Sequence, residues 1–371
     1  MKILILDADW SQTAYLVAEL NGLGAAILLA SSQLPDPRGL GRYCTQIMCP
    51  HVKSLGYADF LRKILADLDV DCILPLSEDI MLMLWRLPSY LTEKVFPETT
   101  PRQRSLLDDR RLIYDFSRSV GIKTPESMAI TDDESLDFAV DTLGLPCVIR
   151  GTHGTGGAQV RVVHSREQAR SAHAEIKNSS GAGVFLQQYI EGRRCLYGGI
   201  FDHGKSLHWF STRMVEAWPS PTGPAIRVRS HHDPMLTQCG ERLFSAFQWD
   251  GIACAEFIQT PDGCYFFLEI NPRPWASIYA AHLCGSPLLT NFAMYLLHKP
   301  LPANPPFINN KACTLFPAYI SAAIASGSPL RARHIAYGII ALASAPWRKP
   351  ALLRHFFRKL WWQYTAQRQS R

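Results

Sequence analysis

The sequence contains no apolar run of about 18 residues, the length that marks a candidate membrane-spanning helix. Its longest apolar stretch, IAYGIIALASAPW, is too short to cross a bilayer. Fixed-period repeats and low-complexity linkers are also absent, which excludes repeat arrays and long disordered connectors. With 371 residues, of which 47% are apolar, the chain can form two or three packed units.

Cysteine pairs of the CxxC type are absent, although the chain has ten cysteines. This absence argues against a zinc or redox motif, and the length excludes a small disulfide scaffold. We find no secretory signal and therefore expect free thiols in a reducing cytoplasm. The net charge is +6, part of it in the last 25 residues, so the body of the protein offers no basic surface for a nucleic acid.

The phosphate-binding pattern GxGxxG is absent after the first strand, so a dinucleotide site is not expected. The N-terminal region nevertheless has the pattern of an α/β unit. The apolar strand KILILDADW is followed by a helix over SQTAYLVAELNGLG and by the strand AAILLA. A further helix and the strand DCILPLS come next, so the first hundred residues are predicted to form a small doubly wound domain.

A glycine-rich stretch lies between two strand patterns in PCVIRGTHGTGGAQVRVV. A Walker loop would lead into a helix, but the residues that follow alternate as a strand does, so this loop belongs to a hairpin. Backbone N–H groups of the loop can approach phosphate oxygens, and Arg150 supplies a positive charge beside it. The loop residues concerned are Gly154, Thr155, Gly156 and Gly157. A surface hairpin without a ligand explains the same pattern.

Three oxygen-bearing side chains occur in a second predicted hairpin. Glu269 and Asn271 lie two positions apart in YFFLEINPRPW, and side chains two apart along a strand project on the same face. The preceding strand, IACAEFIQTPDG, carries Glu256 and ends in turn residues. Oxygen ligands on one face favour a hard ion such as Mg²⁺. An edge strand with its acids in solvent is the alternative.

The length of the turn decides whether these acids meet. A two-residue loop would place Glu256 opposite Glu269, and a four-residue loop would make them diagonal neighbours on one face, whereas a three-residue loop would separate them. Pro261 is compatible with a type I turn and a bulge, so the local sequence leaves the register open. If the acids do meet, a cation between them is expected to offset their repulsion.

The order of these features resembles the ATP-grasp superfamily over roughly residues 2–298. The most specific part is WDGIACAEFIQTPDGCYFFLEINPRPW, which is close to the carbamoyl-phosphate synthetase and biotin carboxylase branch. The resemblance implies an α/β plus α+β architecture, in which a Rossmann-like pre-ATP-grasp domain precedes two lobes that clamp ATP with two Mg²⁺ ions. The expected units are a pre-ATP-grasp domain over 1–100, a small lobe over 101–195, a large lobe over 196–300 and a mainly helical segment over 301–371.

The resemblance also implies roles for individual residues. The family's metal ligands match Glu256, Glu269 and Asn271, which would hold Mg²⁺, with Mn²⁺ as an alternative. Arg273 matches an arginine that contacts the transferred phosphate. Arg110 and Arg150 stand where the family has two phosphate-binding lysines. Both exchanges keep the charge but change its geometry, because guanidinium binds as a planar fork and ammonium as a point charge.

The strand FLQQYIEG matches the hinge whose backbone reads the adenine edge, with Gln188 and Ile190 at the expected contacts. The family commonly has an acid shortly after the hinge glycine to hold the ribose, where this chain has arginine and cysteine. Gln187 and Glu191 are the residues that can take over this contact.

Such enzymes activate a carboxylate as an acyl phosphate at the expense of ATP, and a nucleophile, most often an amine, then attacks it. The resemblance therefore implies an ATP-dependent ligase with a small carboxylate and an amine as partners. Arg213, Arg227 and Arg229 lie where related enzymes line the acceptor pocket, and the last two share a strand face that can bind a carboxylate. A solvated strand face explains them too. The missing ribose acid and the lysine exchanges favour a second hypothesis, an ATP-binding scaffold without turnover.

The C-terminal tail, RKPALLRHFFRKLWWQYTAQRQSR, mixes basic residues with aromatic ones. This mixture is typical of a peripheral membrane contact or a partner groove, and a helix docked on the body explains the aromatics equally well. A homodimer is also left open by the sequence.

Overall fold

The structure, a computed structural model, describes most of the chain and contains three β-sheets. The described residues are 1–6, 11–32, 40–152, 159–180, 183–303, 305–326 and 332–369.

The N-terminal sheet is parallel, with the strand order β3-β2-β1-β4. Its strands are β1 (Lys2–Leu6), β2 (Ala26–Ser31), β3 (Thr45–Met48) and β4 (Cys72–Pro75), and its helices are α1 (Ser11–Gly22), α2 (Tyr57–Asp67) and α3 (Glu78–Trp85). Helical crossovers cover a parallel sheet, which is why its central strands are continuously apolar. The predicted βαβ opening is confirmed, whereas β3, which has only four residues, was not predicted.

A four-stranded antiparallel sheet follows, with the order β5-β8-β6-β7. The strands are β5 (Ser127–Ile130), β6 (Cys147–Gly151), β7 (Val160–Val163) and β8 (Val184–Gln188), and the accompanying helices are α4 (Pro101–Asp108), α5 (Arg110–Ser119), α6 (Asp133–Leu143) and α7 (Arg166–Ser180). The two strands that flank the glycine-rich stretch pair in an antiparallel hairpin, as the alternation in the sequence predicts. The predicted loop contacts at residues 154–157 lie outside the described residues.

The largest sheet has six strands in the order β13-β12-β9-β10-β11-β14. The strands are β9 (Arg193–Asp202), β10 (Lys205–Ala217), β11 (Ala225–Ser230), β12 (Gly251–Gln259), β13 (Tyr265–Asn271) and β14 (Ala312–Thr314), and α8 (Pro234–Phe247) packs on this sheet. β9 begins at Arg193, close to the boundary expected at residue 195, and the division into lobes stays a prediction.

Helices dominate the C-terminal part, although β14 adds an edge strand to the large sheet. These helices are α9 (Tyr279–Leu283), α10 (Leu288–Leu296), α11 (Ala318–Ser326), α12 (Ala332–Ala343) and α13 (Pro350–Gln369). One hydrophobic core joins α1 of the N-terminal unit to the large sheet and to α13. Within it, the ring centroids of Tyr15 and Phe356 lie 5.0 Å apart. Within the described part of the chain, none of the helices is both long and apolar enough to cross a membrane.

Candidate active site

The hairpin of β12 and β13 brings the predicted oxygen ligands together, but its turn has neither the two nor the four residues that were expected to do so. Thr260 and Cys264 bond across the turn, and Gly263 has a φ of +87°, so the loop has three residues. Such a loop alone would separate the acids. A bulge between the pairs Phe257–Phe267 and Glu256–Glu269 shifts the register by one residue and places the two glutamates opposite each other.

Glu269 faces two arginines that come from the region of the four-stranded antiparallel sheet. Its Oε2 atom lies 3.0 Å from Nη2 of Arg150 and 3.4 Å from Nη2 of Arg110. Arg150 lies near the end of β6, and Arg110 is the first residue of α5, so both cations reach the hairpin from other elements. Burial alone would raise the pKa of the Glu269 carboxyl, but the charges of Arg110 and Arg150 outweigh burial and hold this pKa well below its usual value.

Arg150 is held in place from a second side. Its Nη1 atom donates to the Tyr114 hydroxyl at 3.1 Å, and that hydroxyl donates to the Leu268 carbonyl at 2.9 Å. The Arg150 side chain is buried, and among the described residues its Nε atom has no acceptor. A buried guanidinium with an unused N–H is suited to an anionic ligand such as a phosphate.

Glu256 has its own arginine, which the sequence argument did not assign. Nη2 of Arg194 lies 2.6 Å from Oε2 of Glu256, and Nη1 of Arg194 donates to the Gly223 carbonyl at 2.9 Å. Arg194 lies at the start of β9, directly beside β12, so sheet pairing brings the two residues together. It occupies a position at which the family commonly has an acid, and that departure was the signal in the sequence.

Arg273 connects the hairpin to the N-terminal unit. Its Nε atom donates to Oε2 of Glu78 at 2.8 Å, and its Nη2 atom donates to Oδ1 of Asn271 at 3.2 Å. Glu78 is the first residue of α3, just after the parallel strand β4. Sequence reasoning missed it, although the carboxyl end of a parallel strand is where polar site residues collect.

The charges of this cluster suit a polyanion. Four arginines, at positions 110, 150, 194 and 273, surround the carboxylates of Glu78, Glu256 and Glu269, so these seven side chains carry one excess positive charge. Arg150 and Arg273 are both buried, and burying charges is costly unless each has a partner. The triphosphate of a nucleotide is a ligand that such a cluster can bind.

The oxygen set also fits a hard divalent cation. Two carboxylates and the Asn271 amide oxygen lie on one face of the hairpin. The ion pairs with arginine use Oε2 of each glutamate, so Oε1 is not part of them. Oε1 of Glu269 has a long contact of 3.5 Å from Nδ2 of Asn271. The residues that could hold Mg²⁺ are therefore Glu256, Glu269 and Asn271.

A cleft of about 320 Å³ lies between the small antiparallel sheet and the six-stranded sheet. The cluster residues Arg110, Arg150, Arg194, Glu256, Glu269, Asn271 and Arg273 line it, together with Gln187, Gln188 and Ile190 of the hinge. Glu191 is exposed and is not among its lining residues. Gly192 permits the hinge to approach β12, since a Cβ there would lie 2.3 Å from the Gln259 carbonyl oxygen.

The hinge residues differ in what they can still offer a ligand. The Gln188 N–H donates to the Glu126 carbonyl at 2.8 Å and is therefore occupied. Gln187 is buried, and its Nε2 atom makes a long contact of 3.5 Å with the Ser127 hydroxyl. Ile190 is buried at the wall of the cleft, which suits packing against a base.

The three arginines predicted to bind a substrate carboxylate are engaged within the chain and do not line the cleft. Arg213 contacts Nδ1 of His231 at 3.0 Å. Arg227 pairs with Glu216 at 3.1 Å, and Arg229 donates to the Asn310 carbonyl at 2.8 Å. Arg227 and Glu216 lie opposite each other where β10 pairs with β11, and Arg229 reaches the segment that precedes β14, so the interpretation of residues 227 and 229 as a substrate-facing pair is corrected to a structural one.

Comparisons with known proteins agree with this geometry. The family model of the carbamoyl-phosphate synthase L chain, ATP-binding domain, matches residues 109–198. Biotin carboxylase of Nostoc sp. is 24% identical over 193 residues, which are 47% of this chain and 42% of that protein. D-alanine–D-alanine ligase of Chromohalobacter salexigens is 23% identical over 173 residues, 42% of this chain and 52% of that protein. The chain thus spans about half the length, or less, of these two curated relatives.

A solved structure gives the same answer for the fold. The biotin carboxylase domain dimer of Hydrogenobacter thermophilus 2-oxoglutarate carboxylase, in complex with MgADP, ADP and bicarbonate, superposes with a TM-score of 0.68. It covers 84% of this chain and 73% of its own, at 14% identity. The fold expected from the sequence resemblance is therefore confirmed, and the chain is similar to the carbamoyl-phosphate synthase ATP-binding domain over residues 109–198 and to a biotin carboxylase over about half of its length.

Proposed function

We propose that the protein is an ATP-dependent ligase that activates a carboxylate as an acyl phosphate and joins it to an amine, with release of ADP and phosphate. The similarity to a D-alanine–D-alanine ligase supports an amine as the acceptor, and the similarity to biotin carboxylases supports nucleotide-driven activation. The observation that carries the proposal is the convergence of hairpin oxygens and arginines from both lobes in one cleft.

In this proposal Glu256, Glu269 and Asn271 hold Mg²⁺ or Mn²⁺. The bound ion would neutralise charge on the phosphate oxygens. With a nucleotide and a divalent cation bound, Glu269 would be a ligand of the cation, and Arg110 and Arg150, which pair with Glu269 in this structure, would bind phosphate oxygens. Each such electrostatic contact is commonly worth about 3–4 kcal/mol to a transferring group.

Arg273 is proposed to orient the phosphate as it moves to the carboxylate. Its guanidinium is clamped between Glu78 and Asn271, so it is presented to the cleft in a fixed direction. The adenine is proposed to lie at the hinge beside Gln188 and Ile190, with Gln187 in place of the missing ribose acid. Phosphate contacts from Gly154, Thr155, Gly156 and Gly157 remain a prediction of the sequence.

The direct test is to incubate the protein with ATP, Mg²⁺ and a panel of amino acids and carboxylates, and to measure ADP release and product mass. ADP release that depends on both a carboxylate and Mg²⁺ is expected, with a condensation product when an amine is present. Calorimetric ATP binding without any ADP release across the panel would contradict the ligase proposal.

That contrary outcome would favour a second function, a nucleotide-binding regulatory or scaffold protein. A specific observation supports it: both metal-binding carboxylates are already engaged by arginine, Glu256 by Arg194 and Glu269 by Arg150. A cleft in which these ion pairs persist would bind a nucleotide without turnover.

A homodimer is also proposed, by analogy with the dimer of the biotin carboxylase domain.

A further inference from the structure

A second cavity, of about 220 Å³, adjoins the cleft, and the two share the wall residues Pro224, Ala225 and Ala276. Of these, Ala276 follows Arg273, the proposed phosphate-orienting arginine, by three positions, and both residues line the cleft. A group bound in this cavity would therefore border the reacting centre of the cleft.

The cavity is largely apolar and is lined by five segments of the chain, 12–15, 218–226, 276–279, 315–322 and 356–363. Tyr15 of α1 stacks on Tyr279 with ring centroids 3.9 Å apart, and the Tyr15 hydroxyl is occupied by the Phe316 carbonyl at 2.8 Å. Phe356 and Leu360 of α13, both buried, add to the wall. These contacts hold the wall in one arrangement that favours an apolar guest.

Among the described residues, one polar group in this wall lacks a hydrogen-bond partner. Gln12, in the first turn of α1, is 3% exposed, and among the described residues its Nε2 atom donates to no acceptor. A buried amide N–H without an acceptor is costly, and native proteins rarely retain one without a reason. An oxygen atom on a bound molecule would satisfy it.

We propose that this cavity binds the apolar body of one of the two substrates, with a substrate oxygen accepting the hydrogen bond of Gln12. The substrate class is thus an amphipathic carboxylate or amine with an aromatic or branched aliphatic group. This inference rests on the ligase function proposed above, because it assigns the reacting end of the molecule to the shared wall.

The test measures ADP release with L-alanine, L-leucine and L-phenylalanine, singly and in pairs, in the presence of ATP and Mg²⁺. Each methylene group buried in the cavity should improve kcat/KM about fourfold. Ala322→Leu fills the cavity from α11 and should abolish the preference for the larger amino acids, whereas Ala325→Leu, exposed on the same helix, should keep it. Gln12→Leu should raise KM for these amino acids without changing the affinity for ATP.

Equal kcat/KM for the three amino acids, or equal losses in Ala322→Leu and Ala325→Leu, would overturn the inference while leaving the ligase proposal intact. If ATP binds but no amino acid is consumed, the shift in melting temperature on addition of phenylalanine and MgADP tests whether the cavity binds phenylalanine. A shift in the wild type that Ala322→Leu loses supports the cavity, and no shift refutes it. Failure to bind ATP would instead contradict the proposed function.

A different observation concerns the outer face of α13, formed by Arg354, Phe357, Arg358, Trp361 and Trp362. These positions follow the spacing i, i+3, i+4, i+7, i+8 and so share one side of the helix. The two tryptophans are 67% and 73% exposed, although the opposite side, with Phe356, is buried in the core. Some aromatic residues of the tail are therefore buried against the body of the protein, and others are exposed, so docking on the body explains only the buried ones.

The charge of this region is of one sign. The sequence contains no Asp or Glu after Glu269, whereas residues 270–371 include twelve Lys and Arg. Exposed tryptophans interleaved with arginines are complementary to a surface that is both anionic and apolar just below its head groups.

We propose that the outer face of α13 docks on an anionic membrane surface. The test is co-sedimentation with phosphatidylcholine vesicles, with and without one third phosphatidylglycerol. Binding should need phosphatidylglycerol, weaken in high salt and fall about tenfold or more in the double variant Trp361→Ser, Trp362→Ser. The matched control is Phe138→Ser, which removes an aromatic that is 63% exposed on the acidic helix α6.

Two results would overturn the membrane assignment. One is equal binding by the double tryptophan variant and the Phe138→Ser control. The other is a dimer in analytical ultracentrifugation that the double tryptophan variant dissociates while vesicle binding is absent, which would assign the face to a second copy of the chain.

Discussion

Arginine occupies two opposite environments in this protein. In the cleft, Arg150 is buried and faces Glu269, and Arg194 faces Glu256. On α13, Arg354 and Arg358 are exposed, in a stretch of sequence that has no acidic residue. A buried charge must be compensated by the protein itself, whereas an exposed one stays hydrated and gains little from the contacts that it makes. We therefore expect the cleft arginines to affect both the stability and the proposed chemistry, and the arginines of α13 to affect mainly the proposed surface binding.

The largest effect is expected from Glu269→Gln. This change removes a proposed metal ligand and the common counter-charge of Arg110 and Arg150, so turnover should fall about a thousandfold and the free energy of unfolding by about 3 kcal/mol. ADP release and chemical denaturation measure the two effects. Asp262→Asn, in the exposed turn of the same hairpin, is the control and should behave as wild type. Near-normal turnover of Glu269→Gln would remove the basis of the metal assignment.

A smaller effect is expected from Glu78→Gln, which leaves Arg273 with its contact to Asn271 but without its charged partner. Because the guanidinium is then less well oriented, kcat should fall about tenfold to a hundredfold with little change in the KM for ATP. Asp79→Asn, exposed at the next position, is the matched control. An unchanged kcat would show that the link between α3 and the hairpin does not position Arg273.

Arg194→Met should separate metal binding from turnover. Without Arg194 the Glu256 carboxylate loses a competing cation, so the Mg²⁺ concentration for half-maximal activity should fall about fivefold. A Mg²⁺ titration of ADP release measures this shift, and Arg193→Met, which changes an exposed neighbour, should leave it unchanged. A rise in the required Mg²⁺ concentration would mean that Arg194 supports the metal site and does not compete with it.

The smallest effect is expected from the double variant Arg354→Glu, Arg358→Glu. Both side chains are exposed, so the free energy of unfolding should change by less than about 0.5 kcal/mol and ADP release should be unaffected. Chemical denaturation and the same activity assay check this. A loss of several kcal/mol would place these residues in the same structural class as the cleft arginines and remove the contrast between the two regions.

The sequence predicted those parts of the fold and site that depend on local pattern. Two continuously apolar strands on either side of one helix predicted the parallel pair of β1 and β2. The alternation of residue types after the glycine-rich stretch predicted the hairpin of β6 and β7. The short strands β3 and β14 were not predicted, because four and three residues show too little periodicity to be recognised. Period-two spacing placed Glu269 and Asn271 on one face without reference to the rest of the molecule.

The pairing register of β12 and β13 could not be predicted from the local sequence pattern. The three-residue turn ending at Gly263 would by itself have separated Glu256 from Glu269, and a bulge near Leu268 reunites them. A bulge inserts a residue into one strand only, and its position depends on how that strand packs against its neighbours, so turn chemistry could not reveal it.

By itself, the sequence determined which chemical groups are available: oxygen ligands on one strand face, basic residues where the superfamily has lysines, and a basic aromatic tail. Only the tertiary structure decided their partners. It joined Arg273 to Glu78 across 195 positions of sequence, paired Arg194 with Glu256, and turned Arg213, Arg227 and Arg229 away from the cleft. The physical reason is that a charge is neutralised by whatever lies near it in space, and proximity between distant segments is set by sheet order and core packing, which no local pattern encodes.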